Sequence, residues 1–145
     1  MKKAIVALSV MFLSVAVFAQ NAQKKAEDFI KFKEATYDFG KIKQGTPVTH
    51  DFVFKNISNQ PIVIEYASAS CGCTTPTWPQ GAVAKAASDK ITAGFNAAAT
   101  GPFNKSITIK VAGVEQPLVI TITGEVLSAE DYAKHEATKK KPGSK

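Results

Sequence analysis

Two cysteines are the residues in this chain whose type and spacing can do chemistry. Cys71 and Cys73 are the only ones in 145 residues, and Gly72 alone separates them, in Ser70-Cys71-Gly72-Cys73-Thr74-Thr75-Pro76-Thr77-Trp78-Pro79. Gly72 supplies the backbone freedom that lets so close a pair act together. Three chemistries compete. In an oxidising compartment the pair closes as a disulfide, and so small a ring makes it open to reduction by thiols. As thiolates the two sulfurs chelate a soft ion, copper or zinc, once further donors join them. As plain thiols they pack under Trp78 or pair with another molecule. His50 is the candidate third metal donor, although a single His on an apolar strand face is ordinarily a satisfied rim residue. Thr74, Thr75 and Trp78 are the candidate binding-loop residues beside the pair.

Other chemistry finds few residues. The chain has no Gly-rich phosphate loop, no Gly-x-Ser-x-Gly and no His-Glu-x-x-His. Asp38, Asp51, Glu65 and Glu125 are scattered carboxylates with the pattern of solvated surface charge. The sequence therefore points away from an enzyme and toward a chain without a resident cofactor, copper or zinc being the alternative. Its formal charge is +6, and every one of its 18 basic residues is lysine. Without arginine there is no bidentate fork for phosphate or guanine, which argues against nucleic acid as a partner.

The elements that position the cysteines follow from the apolar pattern. Lys2 and Lys3 precede an apolar run, Ala4 to Phe18, that ends in Val17-Phe18-Ala19. This is the pattern of a signal peptide over 1–19, too short to span a bilayer as a helix. Cleavage would leave no membrane anchor and a periplasmic or secreted chain. Residues 20–27 read as a polar linker. From Asp28 the period is two: Val48, Phe52 and Phe54 share one face, as do Ile62 and Ile64, Ile107 and Ile109, and Leu118, Ile120 and Ile122. Phe52, Phe54, Ile62, Ile64, Ile107, Ile109, Leu118, Ile120 and Ile122 are the expected core. Ile91 to Asn96 is a weaker strand because Gly94 interrupts it. The pattern predicts an all-β, immunoglobulin-like sandwich of about seven strands over 28–127. Ser128 to Lys141 carries a helix N-cap signal, Ser128 with Asp131, but little apolar content, so 128–145 reads as a polar, Lys-rich tail.

Several of these segments are recognisable together. Asp38-Phe39-Gly40-Lys41-Ile42 with Gly45, Phe52-Val53-Phe54-Lys55-Asn56, the Cys-Gly-Cys-Thr segment, Gly101-Pro102-Phe103-Asn104-Lys105 and Ile122-Thr123-Gly124-Glu125-Val126 resemble the secreted bacterial family called domain of unknown function 1573. The resemblance covers Phe32 to Val126 and implies an immunoglobulin-like sandwich without implying an activity. Members of that family commonly carry Pro-Gly before the strand near Ile91, where this chain has Lys85-Ala86. Sequence and resemblance together lead to an exported, non-enzymatic interaction module. It would bind an envelope or extracellular protein through a loop end or a strand edge. The alternative is a thiol-redox or metal-handling protein built on Cys71 and Cys73.

Overall fold

The computed structural model describes residues 24–139. The expected signal peptide, the first part of the expected linker and the last residues of the tail lie outside them. Eight strands form: β1 (Ile30–Phe32), β2 (Thr36–Lys43), β3 (Val48–Asn56), β4 (Ile64–Ala69), β5 (Thr74–Thr77), β6 (Ser88–Phe95), β7 (Gly101–Val111) and β8 (Leu118–Leu127). They build two four-stranded sheets, ordered β1-β3-β6-β5 and β2-β8-β7-β4. All neighbours are antiparallel except β2 and β8. The architecture is an immunoglobulin-like β-sandwich.

The period-two faces meet between the sheets. Phe52, Phe54, Ile62, Ile64, Ile107, Ile109, Ile120 and Ile122 are buried as expected, joined by Ile30, Ile91 and Val111. Leu118 is only partly buried, because it lies at the start of its strand against the edge of the core. The segment around Gly94 is not weak: β6 is an inner strand, paired on both sides. Its glycine has a packing cause. A Cβ at Gly94 would lie 3.3 Å from the Thr75 carbonyl oxygen of β5, so the bare backbone admits close approach of that strand.

Two boundary expectations change. Lys24 to Glu27 do not behave as a linker, since Lys25 bridges to Gln116 and Ala26 is buried. The tail forms a helix, α1 (Ala129–Lys139), whose Ser128 hydroxyl accepts from the Asp131 N–H at 3.1 Å. As the poor apolar content implied, α1 buries none of its residues. Within the described residues, no helix is long and apolar enough to cross a membrane.

Ala86, in the turn before β6, has a φ of +63°. That left-handed conformation costs an L-residue about 1–2 kcal/mol. Ala86 is exposed and its N–H donates to the Asn56 carbonyl at 3.2 Å, which holds the turn in place. Ala86→Gly should therefore raise stability by about 0.5–1 kcal/mol, gained conformation outweighing lost chain stiffness. Urea titration with an unchanged m-value would check it.

Candidate functional site

Cys71 and Cys73 lie in the crossover from β4, an edge strand of one sheet, to β5, an edge strand of the other. They are joined by a disulfide, with Cα atoms 5.3 Å apart. Both flanks of the loop are tied down. On the β4 side the Ser70 N–H donates to the Ser106 carbonyl at 2.9 Å, and the Ser106 N–H to Ser70 Oγ at 3.2 Å. On the β5 side the Asn96 N–H donates to the Cys73 carbonyl at 3.0 Å.

Thr74 follows directly and is 4% exposed. Its hydroxyl oxygen lies 3.7 Å from Cys71 Sγ and 3.9 Å from Cys73 Sγ. Thr74 is thus no exposed binding residue but part of the disulfide's buried surroundings. Thr75, one step further, is exposed.

Beside Cys73 opens a pocket of about 190 Å³. Phe95, Phe103 and Pro102 wall it with apolar surface, Ala98 stands on its rim, and Lys105 supplies its one charged side chain. The rings of Phe95 and Phe103 stack with centroids 4.1 Å apart, so the wall is fixed by packing. Lys105 shares the parity of buried Phe103 and Ile107 on β7, which carries its stem into the mouth between the sheets. The far wall is the connection from β6 to β7. There Ala97 is buried with φ +50°, its carbonyl accepts from the Gly45 N–H at 2.9 Å, and Gln44 Nε2 donates to the Ala98 carbonyl at 3.0 Å. The left-handed alanine behind this wall persists because these bonds hold it there.

Trp78 does not cover the disulfide. Thr74 pairs with Phe95 and Thr77 with Thr92, so β5 runs its full length between them. At about 3.3 Å per residue, five extended residues put Trp78 roughly 16 Å from Cys73, level with the middle of β6. His50 is no third donor either. Its ring stacks on Tyr37 of the opposite sheet, centroids 3.5 Å apart, and Nε2 lies 2.9 Å from Glu34 Oε1. Within the described residues, no group of three or more His, Cys, Asp or Glu side chains could hold a metal ion. The pair is thus brought together, and the proposed third ligand is not.

The carboxylates hold structure. Asp38 Oδ1 accepts from the Gly40 N–H at 2.8 Å, and Glu125 lies 3.9 Å from Lys41. Asp51 accepts from Lys90 Nζ at 2.6 Å and from the Thr92 hydroxyl at 2.5 Å. These two bonds, Lys90's first, hold its carboxyl below the usual carboxylate range.

The sheet edges offer little to an added strand. In β5 the outward-facing positions are Thr74, whose N–H goes to the Cys71 carbonyl at 3.3 Å, and Pro76, which has none. β1 is three residues long, and β2 and β4 are each broken by a bulge. Short, bulged or proline-bearing edges resist pairing with further chains.

A family model described as a protein of unknown function, DUF1573, matches residues 30–126. The chain belongs to the DUF1573 family. Among solved structures, the PapD-like domain 7 of human CEP192 superposes on this DUF1573 domain with a TM-score of 0.60 at 10% identity, over 81% of this chain and 98% of that one. A protein of unknown function from Porphyromonas gingivalis W83 gives 0.58 at 12% identity, over 67% and 46%. The secreted serine protease VesC from Vibrio cholerae gives 0.56 at 14% identity, over 78% of this chain but 26% of that one. These likenesses establish the sandwich fold of the DUF1573 domain. The sequence has no match among curated proteins.

Proposed function

We propose that this DUF1573 protein is an exported, non-enzymatic binding module whose partner docks at the disulfide end of the sandwich. The observation that carries the reading is the pocket beside Cys73, a small apolar cleft with one cation and walls fixed by hydrogen bonds. Few polar groups placed on a rigid apolar cleft are the general form of a recognition site. Fold likeness does not carry it, because the same sandwich occurs in a human PapD-like domain and as part of a secreted protease. Blunted edges favour this loop end over strand addition. Export rests on the basic-then-apolar leader, which suits a periplasmic or secreted location and a partner in the envelope or outside the cell.

Filling the pocket mouth tests the reading. Ala98 is exposed on the rim, so Ala98→Trp blocks entry without entering the core. It should weaken retention of the envelope partner by about tenfold or more, whereas Lys85→Trp at the opposite end should not. Equal retention by both variants would refute the site.

The disulfide itself should matter little for folding. Its ring spans three residues, so it removes little entropy from the unfolded chain, at most about 2 kcal/mol. The double variant Cys71→Ser/Cys73→Ser should thus melt only a few degrees lower, as differential scanning calorimetry would show.

A further inference from the structure

The geometry points to Cys73 as a thiol-capture site: a partner's thiolate enters the pocket, forms a mixed disulfide with Cys73, and releases Cys71 as a thiolate beside the Thr74 hydroxyl. This rests on the reading of the pocket as the docking site and names the chemistry of what docks there.

Three observations carry it. Cys73 lines the pocket and Cys71 does not, so a group seated there meets one sulfur of the bond and not the other. The attacking species in thiol–disulfide exchange is the anion, and Lys105 is the charge that shares the pocket with Cys73. The apolar walls of Phe95, Phe103 and Pro102 sharpen that attraction by excluding water. The third observation concerns the leaving sulfur. Thr74 places a buried hydroxyl 3.7 Å from Cys71 Sγ, and a hydroxyl donates more strongly to a thiolate than to a disulfide sulfur.

The step balances without an external oxidant. The partner's thiolate supplies an electron pair to Cys73 Sγ, one S–S bond forms, the Cys71–Cys73 bond breaks, and its pair leaves on Cys71. The partner sulfur is oxidised to the disulfide level, and Cys71 is reduced to a thiolate that solvent can protonate. Return attack by Cys71 on Cys73 expels the partner and restores the starting bond. Anchoring on both flanks, through Ser70 to Ser106 and Cys73 to Asn96, keeps Cys71 within reach for that return. Capture is therefore reversible.

The oxidised full chain tests the assignment. It is mixed with reduced glutathione or with a reduced cysteine peptide with apolar flanks, quenched by alkylation, and the position of the mixed disulfide is mapped by fragment mass spectrometry. The adduct should sit on Cys73 about tenfold more often than on Cys71. Lys105→Gln, with circular dichroism confirming that it folds, should slow formation of that adduct about tenfold. Faster reaction with the peptide assigns a polypeptide thiol as the partner, and faster reaction with glutathione a small thiol. Adducts shared equally between the two cysteines, or a rate indifferent to Lys105→Gln, would overturn the capture site. In that case, partner retention sensitive to Ala98→Trp would leave the docking site standing. Retention indifferent to that substitution would remove the docking site as well.

Discussion

Asn56→Asp should cost about 3–5 kcal/mol and lower Tm by roughly 15–25 °C at neutral pH, with a partial recovery in acid. Asn56 ends β3 and is fully buried. Its Nδ2 donates to the carbonyls of Gln60, Val83 and Ala84 at 2.9, 3.0 and 3.2 Å. Its Oδ1 accepts from the Ser58 N–H at 2.9 Å and the Ser58 hydroxyl at 2.8 Å. One amide therefore joins the turn after β3 to the connection that enters β6. Aspartate has the same shape but would aim a carboxylate at three carbonyl oxygens, without a donor among them. Burial and those oxygens would raise its folded pKa above the unfolded value. A raised carboxyl pKa destabilises the fold above the unfolded pKa, and the penalty shrinks as pH falls through the folded one. Urea titrations of both proteins between about pH 7 and pH 4 should therefore show the gap narrowing toward acid. A gap independent of pH would show that lost packing, not the carboxylate, is responsible.

The second large effect is expected at Gly124→Ala, about 3 kcal/mol or more of lost stability. Gly124 lies on β8 with φ +155°, in a region closed to other residues without strain. A Cβ there would stand 2.7 Å from Cζ of Phe103 and 2.8 Å from the Gly40 carbonyl oxygen. The second clash has no flexible end to yield. It arises because β2 bulges between Asp38 and Lys41, where Gly40 adopts φ +64° and Asp38 caps its N–H. Phe103 lies across the sheet from Gly124 in register and packs over its bare backbone. Because Phe103 also walls the pocket, the variant should lose partner binding with its stability. Gly81→Ala, with open space and no unusual φ, should change Tm by no more than about 2 °C. Thermal melts of the pair would check both.

These two residues show why part of the molecule was legible in its sequence and part was not. Alternation is local, so Ile107, Ile109, Ile120 and Ile122 mark their strands and buried face without reference to anything else. The Asn-Ile-Ser-Asn-Gln-Pro composition after β3 likewise announces a turn. It does not say that Asn56 also reaches Val83 and Ala84, because nothing within 20 residues of Asn56 encodes that contact. His50 is similar: parity puts it on the core face, but its Tyr37 partner comes from the other sheet. Nearness along the chain misleads in the opposite way at Trp78, which an extended strand carries away from the cysteines five residues earlier. Gly94 looks like a strand breaker until β5 is laid against it. Within the site, the proximity of Cys71 and Cys73 follows from their spacing, whereas Phe95, Phe103 and Lys105 reach Cys73 only through the pairing of four strands.

If partners engage the disulfide end of the sandwich, a crosslinker placed there should capture them. Site-specific photocrosslinking decides this, with a photoreactive residue placed at position 98 or at position 85 in the full chain and irradiated in the intact envelope. A discrete crosslinked partner from position 98, competed by unlabelled protein and absent from position 85, is the predicted result. Crosslinks that form from position 85 alone, or equally from both ends, would contradict it.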